Sequence, residues 1–172
     1  LDYCFPSDGD GKKITVMTVK DTKTGAICTT MVRSKGASDE YVLNTTSRWL
    51  KLLGHQSIIL QSDGENAVVD MVNKLQEVHK HPVLPRQTPK ESKGSLGVAE
   101  GAHWKVEGKI RVLKAELEEQ YGINIDADHT LMPWIARAAG WYEIFFKHSM
   151  TDTLHIATSL ARIITRIWYF LQ

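Results

Sequence analysis

Cysteine is scarce in this chain of 172 residues: there are two, Cys4 and Cys28. Neither belongs to a C-x-x-C pair and no spacing suggests a zinc module, which excludes a disulfide framework and a structural zinc site as organising devices. Both lie in apolar, strand-like segments and are expected to be small buried residues, a usage that fits a reducing compartment. Charge of one sign is lacking too. Lys and Arg number 21 against 20 Asp and Glu, for a net charge of +1, so any basic surface must come from local clusters. No apolar run reaches membrane-spanning length, because Arg162 and Arg166 interrupt the C-terminal hydrophobic stretch. No signal peptide opens the chain. The expectation is an intracellular protein, nuclear or cytoplasmic, with no membrane partner. There is no initiating methionine either. Leu1-Asp2-Tyr3-Cys4-Phe5 reads as the second half of a strand, as in a piece of a longer polyprotein.

What is present suits a globular domain: 42% hydrophobic and 24% charged residues, in a length that closes one sizeable core. Residues 1–5, 13–20 and 26–32 are apolar or β-branched and read as three strands of an antiparallel meander, separated by turns at Pro6–Gly11 and Asp21–Gly25. The Asp-Gly-Asp-Gly of the first turn lacks the remaining acidic ligands of a calcium loop and is read as a turn. Ser38 or Asp39 can cap a helix over 40–53 that ends at Gly54, with Val42, Trp49, Leu50 and Leu53 as its apolar face. Residues 57–63 form a short apolar run ending in Asp63, the pattern of a buried strand with chemistry at its C-terminal end. A helix over 65–79 follows, with Val68, Met71, Val72 and Leu75 inward. Residues 80–97 hold three prolines, three lysines and two glycines and read as a loop. A long helix over 97–120 buries Ala99, Ala102, Val106, Ile110, Leu113 and Leu117. Further helices are expected over 130–147 and 153–171. The order predicts an α/β fold, a mixed sheet of three antiparallel strands with parallel additions, flanked by helices.

Three acids stand in unusual places: Asp2 inside a strand, Asp63 at the end of the most hydrophobic strand, and Glu100 in the first turn of the long helix. An acid within a strand is disfavoured by propensity and by burial, so something must compensate it. A turn acid before glycine and a helix-start glutamate are each explicable structurally. Their combination in this element order points instead to phosphodiester chemistry. There, two divalent ions about 3.5–4 Å apart activate the attacking oxygen and neutralise the leaving one, and carboxylates from different elements hold them.

Ser62-Asp63-Gly64-Glu65 resembles the second motif of retroviral and retrotransposon integrase cores. Thr88-Pro89 followed by Ser95-Leu96-Gly97-Val98-Ala99-Glu100 resembles their third. Asp63 and Glu100 have 36 residues between them, close to the spacing of the D,D-35-E signature. Leu1-Asp2-Tyr3-Cys4 resembles the first-strand motif, and Val106 to Lys114 resembles the helix continuation of copia-like retroelements. The resemblance covers roughly residues 1–145; the core is expected over 1–147, with a truncated N-terminal edge, and 148–172 as an atypical helical tail. It implies a ribonuclease-H-like fold and a metal-dependent polynucleotidyl transferase that processes 3′ ends and joins element DNA to target DNA. It further implies Asp2, Asp63 and Glu100 as catalytic metal ligands for two Mg²⁺ or Mn²⁺ ions, a mobile loop over 88–97, and DNA and further copies of the chain as partners.

The chain departs from the family at Leu96, where asparagine is usual, at Gly101, where a base is common, and at Trp104, where a polar residue stands. These positions concern DNA placement rather than the metal ligands. Lys90 and Lys93 on the loop, with His103, Trp104, Arg111 and Lys114 on the long helix, are candidate nucleic-acid contacts. A solvated helix face with an internal Glu107–Arg111 pair is the competing account of the helix charges. His79 and His81 lack further ligands at useful spacing and are expected in solvent. Two other functions remain open: a catalytically inactive, transposon-derived domain that binds nucleic acid or itself, and a nuclease acting on RNA–DNA hybrids. The latter calls for a further acid inside the first helix, which offers Asp39 and Glu40 only at its cap.

Overall fold

The computed structural model describes residues 1–7, 11–88 and 93–148, with side chains described outside 93–96 and 144–148. Three strands come first: β1 (Asp2–Cys4), β2 (Thr15–Lys20) and β3 (Ile27–Val32). They pair antiparallel in that order, with Asp2 opposite Thr18 and Met17 opposite Thr30. Successive side chains of β2 enter different cores: Met17 and Val19 pack in one, Val16 in the other. Burial on both faces explains why this strand reads as a nearly continuous apolar run rather than an alternation. The β2–β3 turn is held by Asp21. Its carboxylate accepts the N–H groups of Lys23 and Thr24 and the Thr24 hydroxyl, and lies 3.1 Å from His55 Nε2.

Helix α1 (Glu40–Leu53) starts where Asp39 accepts from the N–H groups of Tyr41 and Val42, and stops at Gly54 with φ of 70°. Only glycine enters that left-handed conformation cheaply, so the helix end is written in the sequence. Next come β4 (Ile58–Ser62), α2 (Asn66–Val78) and β5 (Val83–Gln87), with β4 and β5 paired in parallel. All four expected core residues of α2 (Val68, Met71, Val72 and Leu75) are buried. Burying each such side chain contributes about 1.5–3 kcal/mol, which fixes the face α2 turns to the sheet. Helices α3 (Lys93–Tyr121) and α4 (Met132–His148) follow.

Among the described residues the fold is therefore mixed α/β: a three-stranded antiparallel sheet, a two-stranded parallel sheet and four helices. One core joins Tyr3, Met17 and Val19 to α1 and α2, and the other joins Cys4, Val16 and Ile27 to α3 and α4. Helix α4 lies close on β3 because small residues face it. Ala136 and Ala139 are fully buried, and the Thr29 hydroxyl donates to the Ala136 carbonyl. No helix of the described residues is long and apolar enough to cross a membrane.

Several expectations are corrected. The segment 80–97 is not a loop throughout: β5 occupies Val83–Gln87 and α3 already begins at Lys93. Pro85 is tolerated because β5 pairs on one side only, with β4, so the missing N–H leaves no broken ladder. The earlier helix start places Glu100 in the third turn of α3, not the first, away from the end of the macrodipole. The loop expected over 88–97 is helical from Lys93 onward. His79 is not solvated. It is buried at the end of α2, with Nδ1 3.2 Å from Ser47 Oγ. Cys4 and Cys28 are buried free thiols, as their apolar setting predicts, and burial pushes them up to about 11 and about 12. Residues 8–10 of the first turn, Pro89, Lys90 and the tail from 149 onward lie outside the described residues.

Candidate functional site

The alternation of β1 decides what Asp2 can touch. Tyr3 belongs to the core under α1 and α2 and Cys4 to the core under α3 and α4, so Asp2, two residues from Cys4, points to the α3 side. Strand β4 approaches from the other direction. The Leu1 backbone nitrogen donates to the Gln61 carbonyl at 2.7 Å, which brings the start of β1 beside the end of β4. A cleft of about 480 Å³ opens there. Asp2 lines it from β1, Thr18 to Lys20 from β2, and Ile58 to Ser62 from β4, with Asp63 following; Val98, Ala99, Ala102 and His103 close it from α3.

Asp2 and Asp63 are thus walls of one cleft, although 60 residues separate them in the sequence. Asp2 Oδ1 accepts the N–H of Tyr3 at 2.8 Å. Its Oδ2 faces His103 Nε2 at 3.8 Å, with side-chain exposures of 23% and 13%. Burial is the leading reason that the Asp2 carboxyl lies above the usual carboxylate range; the Tyr3 N–H and a protonated His103 pull it down, and the Asp63 charge pushes it up. Repulsion from Asp63 is secondary to burial. Asp63 sits in a tight turn, where its Oδ1 accepts the N–H of Glu65 at 3.2 Å. Thr88 braces the end of β4: its N–H donates to the Ser62 carbonyl at 2.9 Å and its hydroxyl accepts from Gln61 Nε2 at 3.1 Å. Arg86, on β5, also lines the cleft.

Glu100 is exposed and is not among the residues lining the cleft; His103, one turn on along α3, is. Among the described residues, no three His, Cys, Asp or Glu side chains converge closely enough to hold a metal ion as they stand. The titratable groups lining the cleft include Asp2, Asp63 and His103, whose Nε2 is buried and stands 3.8 Å from Asp2 Oδ2.

The candidate nucleic-acid contacts separate. His103 turns into the cleft, whereas Trp104 is 80% exposed. Arg111 is exposed; Lys114 is half-buried and lies 3.5 Å from Glu118. Among the described residues Lys114 pairs with Glu118 along α3, and Glu107 and Arg111 form no ion pair. Lys93 lies in the first turn of α3. The contact between His103 and Asp2 was not anticipated, yet it has a sequence signal. His103 is four residues after Ala99 and three before Val106, in step with the buried stripe.

Models of known protein families give no match to this chain, and neither do curated proteins.

Proposed function

We propose that this chain is the catalytic core of a metal-dependent polynucleotidyl transferase of the integrase type, with a ribonuclease-H-like fold. The observation that carries the reading is the meeting of Asp2 and Asp63 at one cleft, in an element order of three antiparallel strands, helix, strand, helix, strand and two helices. Acids brought together from separate strands are what phosphoryl transfer needs. Asp2 and Asp63 are the inner ligands, and Glu100, on the rim, completes the set when DNA is present. Mg²⁺ or Mn²⁺, two ions in all, would supply charge neutralisation at the reacting phosphate. The chain's own contribution is to hold the carboxylates partly dry and to grip the DNA backbone from Arg86, Arg111 and Lys114. DNA and further copies of the chain are the partners this reading implies.

The test is strand transfer of a short blunt duplex in Mg²⁺ or Mn²⁺. Activity that Asp63→Asn and Glu100→Gln each abolish, with DNA binding retained, supports the reading. Activity unaffected by Asp63→Asn sinks it. A second reading, a catalytically inactive domain that binds nucleic acid or itself, is favoured by one observation: Glu100 faces solvent instead of the two aspartates. DNA binding without transfer in either ion is the result that selects it.

A further inference from the structure

We infer that Trp104 is a stacking residue for an unpaired DNA base, so that the chain engages a frayed or single-stranded DNA end in preference to a closed duplex. The inference rests on the nucleic-acid side of the reading above, names the form of DNA which that reading leaves open, and involves no metal ion.

The argument starts from the setting of one ring. A single exposed apolar residue is ordinary, so an exposure of 80% decides nothing alone. The neighbours of Trp104 decide more. On a helix, the side chains three and four residues away are those that lie against a given residue. Gly101 and Gly108 take two of these four positions, and a Cβ added at either meets nothing within 4 Å. The space on that side of the indole is therefore open. The other two positions are Glu100, exposed, and Glu107, half-buried. Two carboxylates beside the ring repel a phosphate backbone. They do not repel an uncharged base, whose π face stacks on an indole whatever the sequence.

A base enclosed in a duplex has both faces covered by its neighbours, so the base that meets Trp104 is an unpaired one. Cations for the phosphates stand further off. Arg111, exposed and seven residues on, is about 20° around the helix axis from Trp104, and Arg86 lines the cleft. His103, the residue before Trp104, closes the same cleft from α3. A strand held at Arg111 and entering the cleft at His103 passes the ring.

The experiment is DNA binding by the full chain in EDTA, followed by fluorescence anisotropy. The probes are a blunt duplex and the same duplex with a short single-stranded 3′ tail. One tail base is 2-aminopurine, whose emission falls when it stacks. Wild type should prefer the tailed duplex by about fivefold or more and quench the reporter. In Trp104→Ala the affinity for the tailed duplex should fall to that for the blunt one, and the quenching should vanish. The slope of binding against salt should not change, since no phosphate contact is lost. Trp104→Phe should recover part of the preference. Alanine is a good helix former at an exposed site, so each variant should unfold at the wild-type urea midpoint. Unchanged tailed-duplex affinity in Trp104→Ala overturns the inference, and so does wild type that binds the tail without quenching. If Trp104→Ala instead breaks up a self-associated form and leaves DNA affinity unchanged, the ring belongs to a second copy and the inference also fails. Tail preference with quenching, but no strand transfer in Mg²⁺ or Mn²⁺, upholds the inference and selects the inactive nucleic-acid-binding reading. Wild type that binds neither DNA overturns the nucleic-acid reading and the inference together.

Discussion

Replacing Gly140 by alanine tests the packing of α4 on the sheet. Gly140 lies in the middle of α4, where alanine is ordinarily the better helix former by about 1 kcal/mol. Here the sign should reverse. A Cβ at this position would stand 2.5 Å from Thr29 Oγ1 and 3.0 Å from the Ile27 carbonyl oxygen. The carbonyl belongs to β3 and cannot give way alone. The Thr29 hydroxyl cannot turn aside freely, because it donates to the Ala136 carbonyl one turn earlier on α4. The methyl must therefore break that buried hydrogen bond, costing about 1–3 kcal/mol, or push α4 from the sheet, an overpacking cost of about 1–3 kcal/mol. Set against the helix gain of about 1 kcal/mol, the net loss is up to about 2 kcal/mol. Gly108→Ala in α3 is the control: nothing lies within 4 Å of its added Cβ, so it should be neutral or gain up to about 1 kcal/mol. Urea unfolding at pH 7 reads both, with the midpoint moving at constant slope. If Gly140→Ala gains stability as Gly108→Ala does, α4 does not sit on β3 at this distance and the reasoning fails.

Three further outcomes are expected. Burial alone would raise the Asp21 carboxyl, but hydrogen bonds from Thr24, His55 and Lys23 outweigh it and hold it below the usual range. Its contribution is therefore present above the unfolded carboxylate value and lost as pH falls through the lower folded one. Asp21→Ala should cost about 1–3 kcal/mol at pH 7, with the difference from wild type shrinking below about pH 4; a pH-independent difference would contradict this. Asp2→Asn should raise the urea midpoint of the metal-free protein at pH 7, since burial disfavours the ionised form and asparagine can still accept the Tyr3 N–H. On the metal-dependent reading it should also abolish the stabilisation that millimolar Mn²⁺ would give wild type by binding the folded state; a lower midpoint refutes the first part. Arg111→Ala with Lys114→Ala should flatten the salt dependence of DNA binding by about 0.9 in log–log slope for each phosphate no longer neutralised, and an unchanged slope would move the DNA elsewhere.

Legibility in the sequence followed the kind of force at work. Helix α2 was fully readable because Val68, Met71, Val72 and Leu75 repeat at helical spacing and all are buried. Both ends of α1 were readable because caps are local chemistry: the Asp39 side chain at one end and Gly54 at the other. Strand β5 was not. Pro82, Pro85 and Pro89 make its segment look like loop, and only Val83 of its five residues is buried. Its pairing with β4 is a tertiary fact without a local pattern. The start of α3 was hidden likewise, since Gly94 and Gly97 disfavour a helix by about 1 kcal/mol each relative to alanine. His79 looked solvated beside Lys80; it is buried and its Nδ1 meets Ser47 Oγ, 32 residues earlier in the chain.

The site divides in the same way, and the division bears on Glu100. Asp2 and Asp63 were picked from strand context, which fixes direction by parity. Glu100 was picked from its place near a helix start and from motif and spacing, none of which fixes the direction of a side chain on a helix. At about 100° per residue, Glu100 stands about 60° around the axis of α3 from His103. Ala102, Val106 and Ile110 lie on the opposite side of His103 from it and are at most 3% exposed. Rolling α3 by about 60° would carry Glu100 to where His103 now faces Asp2, but would turn His103 away and lift those apolar residues out of their core. Unburying each of the two larger ones costs about 1.5–3 kcal/mol, more than a surface carboxylate gains from most single contacts. The two side chains therefore compete for one position. His103 holds it in the free protein, and Glu100, exposed, stands outside the cleft.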